Sequence, residues 1–466
     1  MAGKEALIIV LLSAGVVYLG TRIIDKVYEG YREKAKGKEP IQTVAILKEY
    51  KKKNIYIVVT ALALILGIFI YVKIGRFLGF ESVTLKQFSF GKSIIVPIGL
   101  SYYTLSMVGY LVDVYKDRVQ CEKNFFVFLT CVTYFPHIIQ GPVSRYGKLI
   151  EQLKSLPAFS YDRMCSGCQL MLWGYLKKLV LADTIYLYTT AVFSNVSGYS
   201  YKSLVVATVL YAVQLYADFS GCIDISQGMA EVMGIQLDKN FMRPFFSQSA
   251  GEFWRRWHIS LGVWFKEYIY MPIATAGWFK KMVKKIRKKH GRQWGIVVSV
   301  AIPSWAVWLL TGLWHGTGLD YILWGFYWGV IIIFSEIMVD NYEKIKKKLH
   351  IADSTWWYRV FQRVRTFGIY CLGLVIIMKS SVSYVPGNIT RSLSENIVIV
   401  LGTVVLFLVE CFAEHIGKNG ETVRGYIAKK HLLIRWIIYF AGIFILIIYG
   451  RFGIGYNADT FIYAGF

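Results

Sequence analysis

The chain of 466 residues is poor in charge and in proline. Only 18% of its residues are charged and 9 are proline, against 55% hydrophobic and 16% aromatic residues. With a mean hydropathy of +0.45, that balance excludes an ordinary soluble enzyme of this size and long disordered tails. Cysteine is scarce and odd in number, 7 residues scattered through apolar stretches, which excludes a disulfide framework. Cys165 and Cys168 form one C-x-x-C, but no second pair or histidine pair lies nearby, so they read as two small residues at helical spacing rather than as a zinc site. Internal repeats and low-complexity segments are lacking too.

Acidic residues are outnumbered, 29 against 53 Lys and Arg, giving a formal net charge of +24. Placement decides what such an excess means. Residues 26–54, 280–292, 343–365 and 415–435 together carry a net +22, and each lies between apolar runs. Basic residues piled into short connections between apolar spans are the positive-inside pattern, so these loops are expected in the cytoplasm. No nucleic-acid-binding module surrounds them, which argues against DNA or RNA as partner.

The apolar runs are long enough to cross a bilayer. Ala6 to Ile24, Ile55 to Val72 and Ile94 to Val112 are the first three, followed by 125–142, 168–193, 203–219, 294–314, 321–339, 367–385, 396–413 and 433–450. The expected fold is an all-α polytopic membrane protein with some re-entrant segments, because Pro136, Gly141, Pro142 and Pro303 interrupt the runs. The first run is followed by basic residues rather than a small-residue cleavage site, so it reads as a retained helix with Met1 outside. Alternation of spans and basic loops then leaves Arg451 to Phe466 outside as well.

Polar groups at bilayer depth are expensive and persist where they face a cavity or one another. Residues 214–273 gather Asp218, Asp224, Glu231, Asn240, Arg243, Glu252, Arg255, Arg256 and His258 in an aromatic setting. Ser249 with Glu252 forms a capping box, which predicts a helix from about Ala250 with His258 two turns in and Trp254, His258 and Leu261 on one face. A second cluster is LTGLWHGTG, 310–318, where Gly312, Gly316 and Gly318 around His315 suit a constriction. Two Trp-flanked histidines among only 7 in the chain suggest one shared site. The C-terminal Phe461, Tyr463 and Phe466 read, on composition, as an aromatic anchor at headgroup level.

The stretches EFWRRWHISL with KEYIYMPI, GLWHG at 312–316, PIGLSYYTL, YLVDVY, FPHIIQGPVSR and YADFSGCIDI cover roughly residues 94–330. In them the chain resembles the membrane-bound O-acyltransferase (MBOAT) family, most closely its bacterial alginate O-acetyltransferase branch, which also includes the teichoic acid D-alanyl transfer protein. The resemblance implies a ring of about ten to twelve helices around a transmembrane tunnel. It divides the chain into N-terminal helices with a basic loop (1–93), a catalytic core (94–339), C-terminal helices (340–450) and a tail (451–466). It also implies that His258 and His315 are catalytic, with Trp254, Arg255, Trp257, Trp314, Asp218 and Asn240 in support. The tail is similar to an F-x-Y-x-x-F terminus in which Tyr463 accepts and relays the acyl group, flanked by Phe461 and Phe466.

That reading leads to a chemistry. A cytoplasmic acyl thioester such as acetyl-CoA, attracted by the basic loops, is the donor, with no bound cofactor or metal. His315 acts as general base on the Tyr463 phenol, whose ordinary pKa near ~10 leaves it protonated, while His258 orients the acceptor or stabilises the oxyanion. The acyl group then passes to an extracytoplasmic acetyltransferase-like partner and on to a cell-envelope or secreted polysaccharide. D-alanyl transfer to teichoic acid is the rival within the enzyme class. A proton-coupled transporter and a non-catalytic scaffold are the rivals outside it.

Overall fold

A computed structural model describes residues 4–77, 97, 99–138, 140–316, 318–381 and 393–452. Among these residues the regular structure is helical. The elements are α1 (Lys4–Ala35), α2 (Pro40–Phe77), α3 (Leu100–Tyr115), α4 (Phe125–Val132), α5 (Phe135–Ile138), α6 (Tyr146–Lys154), α7 (Tyr161–Tyr175), α8 (Asp183–Ser194) and α9 (Tyr201–Val232). Then come α10 (Ala250–Arg256), α11 (Ile259–Phe265), α12 (Met271–Thr275), α13 (Gly277–His290), α14 (Arg292–His315), α15 (Leu319–Ile337) and α16 (Val339–Lys348). The last are α17 (Trp356–Ser381), α18 (Leu393–Gly417), α19 (Val423–Ala428) and α20 (Leu432–Tyr449).

Eight of these helices are long and apolar enough to cross a membrane: α1, α2, α9, α14, α15, α17, α18 and α20. The protein is a multi-pass, all-α membrane protein. Three of the eleven apolar runs take other forms. Within 94–112 the described helix α3 begins only at Leu100, after Gly99 turns left-handed at φ 77, and is 16 residues long. Run 125–142 divides into α4 and α5, with Thr133 capping the first and Pro136 inside the second. Run 168–193 is one continuous helical path in which the α geometry of α7 loosens to a π turn over Leu176–Ala182 before α8.

The chain forms two compact units. The first comprises residues 1–158 and 235–237. In it, Asp25 on α1 pairs with Arg32 and Arg22, and the Tyr28 hydroxyl donates to the Tyr115 carbonyl at the end of α3. Glu122 accepts from the amides of Lys123 and Asn124 and pairs with Lys154, fixing the turn that Asn124 then caps into α4.

The second unit comprises residues 159–234 and 238–466 and holds the larger apolar core. Its α7 and α9 pack at glycine contacts. A Cβ on Gly174 would stand 2.6 Å from the Gly221 carbonyl oxygen, and one on Gly167 would stand 2.6 Å from that of Gly228. Bare backbone at these crossings lets the two helices approach closely, the usual device where lipid gives no hydrophobic drive to association. The π turn places Lys177 and Lys178 against α9. Nζ of Lys178 is 2.7 Å from Asp183 and 2.6 Å from Asp218, while Lys177 pairs with Asp224 at 2.7 Å.

Candidate active site

The Ser249 half of the capping box forms as its spacing predicts, while Glu252 reaches one residue past the Ser249 amide that the motif would engage. Ser249 Oγ accepts from the Glu252 amide at 3.1 Å, and the Glu252 carboxylate reaches back to the Gln248 amide at 2.8 Å. The helix it starts does not reach His258. α10 ends at Arg256, Trp257 is extended, and His258 is left-handed at φ 47, ψ 50, from which α11 starts. The cause is Asn240, which is invisible to a helical-periodicity argument. Its carbonyl accepts from the Ile259 amide at 2.9 Å, while its Oδ1 accepts from the Ser260 amide at 3.1 Å and the Ser260 hydroxyl at 2.8 Å. The Met242 amide donates to the Arg256 carbonyl at 2.9 Å, tying the same two strands of chain together. These bonds offset the ~1–3 kcal/mol that a left-handed non-glycine residue costs.

The break re-aims the imidazole. His258 is 3% exposed and edges onto Phe219 of α9 at 4.8 Å and Trp314 of α14 at 6.0 Å, rather than sharing a helix face with Trp254 and Leu261. Trp254 instead meets Trp308, Trp324 and Trp328 edge-on at 4.9, 5.6 and 4.8 Å. His258 lies outside the candidate spans, and burial pulls its pKa well below the ordinary histidine value, with His315 acting in the same direction. Burial thus favours the neutral ring. Nδ1 lies 3.2 Å from Asn240 Oδ1. The Ser260 backbone N–H can only donate, so the Asn240 atom facing it is the oxygen, and the same oxygen requires the proton on His258 Nδ1. Nε2 then carries the lone pair.

His315 is the last residue of α14, and its ring lies 4.9 Å from Trp314 and 5.3 Å from Trp324. The glycines around it serve helix packing. Gly312 backs onto the Tyr321 carbonyl, Gly325 onto that of Trp308, and the Tyr321 ring covers Gly316. α14 and α15 thereby cross in contact, holding His315 beside the Trp324 wall.

Both histidines line one cavity of about 560 Å³ within the second unit. Trp254, Arg255 and Trp257 line it too, whereas Trp314, Asn240 and Asp218 do not. Trp314 stands beside both imidazoles, and Asn240 holds His258 from behind. Asp218 is 1% exposed and committed to Lys178, in the ion cluster between α8 and α9. Trp308, Trp324, Tyr370 and Lys266 also line the cavity. Sequence reasoning missed these four; the tryptophan content of α14 and α15 pointed toward Trp308 and Trp324, and no signal pointed to Tyr370 or Lys266. Phe461, Tyr463 and Phe466 lie outside the described residues.

The sequence profile of MBOAT, the membrane-bound O-acyltransferase family, matches residues 116–288, which include His258 and Asn240. A Pseudomonas putida protein named "Probable alginate O-acetylase AlgI" is 33% identical over 271 residues, 57% of this chain and 52% of the relative. A Helicobacter pylori peptidoglycan O-acetyltransferase is 28% identical over 51% of this chain and 47% of its own. A Bacillus subtilis teichoic acid D-alanyltransferase is 27% identical over 61% and 69%. The chain spans about half the length of the alginate relatives it matches.

Proposed function

From the premise that residues 116–288 are of the membrane-bound O-acyltransferase family, we propose that this protein is a membrane O-acetyltransferase. It moves an acetyl group from a cytoplasmic thioester, through the cavity, to an extracytoplasmic acceptor. The observation that carries this reading is the pair of imidazoles, His258 and His315, on one largely apolar cavity. Acyl transfer needs a proton acceptor in a water-poor space, and the indole walls supply the low dielectric in which a polar contact with the reacting atoms is strong.

The donor approaches along the basic face of 280–292 and the cavity residues Lys266 and Arg255, which attract the anionic phosphates of a thioester such as acetyl-CoA. Tyr463 is the first acceptor. Its phenol oxygen forms the new C–O bond as the thioester C–S bond breaks; the phenol proton passes to His315 and from there to the departing thiolate. His258 orients the acceptor by lining the space in which the phenol lies, since the phenol's single proton is given to His315. The Nδ1–H tautomer favours this orienting role over the alternative, donation to an oxyanion. A phenyl ester is more activated than the alkyl ester formed on a sugar, so the second transfer, to an extracytoplasmic partner and then a cell-envelope or secreted polysaccharide, runs downhill.

Mass spectrometry of the C-terminal peptide after incubating purified protein with acetyl-CoA tests the reading. A base-labile acetyl on Tyr463 in wild type and none in His315→Ala is expected. A bare Tyr463 in both sinks the relay. A D-alanyl group on Tyr463 when cell extract supplies the donors selects the second reading, which the D-alanyltransferase relative motivates.

A further inference from the structure

α13 presents a cationic surface that the acyl-transfer reading uses only as a long-range field. Its apolar stripe turns inward. Phe279 is 1% exposed, and Met282, Val283 and Ile286 follow at helical spacing, half-buried. The seven Lys and Arg residues from Lys280 to Lys289 are all exposed. Between Glu267 and Asp320 the sequence contains no acidic residue. Among the described residues none of the seven is paired with a carboxylate. A stable protein seldom leaves so dense a row of like charge without a counter-surface, since the charges repel one another.

Its surroundings say what that counter-surface is. Gly291, at φ 93, turns the chain directly from α13 into α14, a candidate membrane span, and the Arg287 stem packs over Gly295 in the first turn of that span. α13 therefore sits at the end of the apolar stretch, at headgroup level. Trp278 and Trp294, 63% and 60% exposed, bracket the cations, and Ile296 of α14, two residues beyond Trp294, is exposed as well, with Ile302 exposed further along the span. Exposed indoles next to exposed aliphatic side chains are the signature of the lipid interface. An acidic soluble partner would account for the lysines and leave these residues unexplained.

We propose that the outer face of α13 is a docking surface for anionic phospholipid headgroups, with the lysines on the phosphates and Trp278 and Trp294 at the interface. Lysines beside an anionic leaflet each add attraction that fades within a Debye length, so a row of them discriminates anionic from zwitterionic lipid. The inference is independent of any acyl chemistry.

Native mass spectrometry of the full chain in detergent, titrated with phosphatidylglycerol or phosphatidylcholine and without acyl donor, tests it. Wild type should retain phosphatidylglycerol with a preference of about tenfold, and the quadruple variant Lys281→Gln, Lys284→Gln, Lys285→Gln, Lys288→Gln should lose most of that preference. The same four positions changed to Arg should keep it. Equal retention of the two lipids by wild type, or an unchanged preference in the Gln variant, overturns the proposal. A second measurement needs no charge variant. Brominated phosphatidylglycerol should quench tryptophan fluorescence more than brominated phosphatidylcholine does, and Trp278→Phe should remove part of the difference. Equal quenching by the two lipids overturns the proposal as well.

Discussion

Asn240 Oδ1 lies 3.2 Å from Nδ1 of His258 and 2.8 Å from the Ser260 hydroxyl, so one amide oxygen fixes both the imidazole's proton and the turn that presents it. Asn240→Leu removes that acceptor and frees the tautomer. Transfer should fall about 100-fold, the scale of a small misplacement of a reacting group. Asn240→Asp keeps an acceptor at the same position and should retain much more activity than the leucine variant. Nitrogen-15 spectra of labelled histidine, with the His258 signal identified by its loss in His258→Gln, should show the Nδ1–H form in wild type and a mixture in Asn240→Leu. Equal activities of the Asp and Leu variants would remove Asn240 from the positioning role.

The buried ion cluster predicts an asymmetry. Lys178 and its partners Asp183 and Asp218 have side chains exposed by 2%, 5% and 2%, so solvent screening does not rescue a lost partner. Lys178→Met strands two carboxylates in the interior and should destabilise the fold by about 3–5 kcal/mol. The triple variant Lys178→Met, Asp183→Asn, Asp218→Asn removes the charges together and should recover most of the loss. Thermal unfolding of the detergent-solubilised protein reads both. A triple variant no more stable than the single one would show that the cluster holds the fold by more than charge compensation.

Lys178 also marks where sequence reasoning reached and where it stopped. Hydropathy identified the eight spanning helices, because a 20-residue apolar run has one way to satisfy its backbone in lipid. Asp218 read as a site residue from its place near His258 in sequence, yet the π turn of Leu176–Ala182 rotates Lys178 onto it, and no local pattern announces a π turn. The same limit applied to His258. The capping box at Ser249 was legible, but the helix stop at Arg256 depends on Asn240, sixteen residues upstream of it, folding back onto residues 256–260. Local signals gave the elements, and the contacts that aim the side chains were long-range.

Gly174 and Gly221 face each other where α7 crosses α9, and this contact has no room for a methyl group. Gly174→Ala places its Cβ 2.6 Å from a carbonyl oxygen that belongs to a helix backbone, so one helix must move. The substitution should lower stability by about 1–3 kcal/mol despite alanine's better helix propensity. Gly277→Ala, where nothing lies within 4 Å of the new Cβ, is the matched control and should be neutral or slightly stabilising. Unfolding midpoints of the two variants that shift equally would mean that the α7–α9 crossing is looser than the glycine contacts imply.

Gly262 offers a way to close the cavity without touching the histidines. It lies in α11, lines the cavity, and a Cβ there would meet only the Trp254 carbonyl at an ordinary 3.8 Å. A side chain at this position therefore grows into the open space through which the donor is proposed to pass. Gly262→Ala should leave transfer within about twofold and gain up to ~1 kcal/mol of helix propensity. Gly262→Phe keeps the same backbone but places an aromatic ring in the passage, and should raise the donor KM or abolish acetylation of Tyr463 while thermal unfolding stays near wild type. Full acetylation by the phenylalanine variant would mean that the donor reaches the imidazoles by a route that does not pass Gly262, and would move the search for its entrance to the Trp308 and Ser304 side of α14, which lines the same cavity.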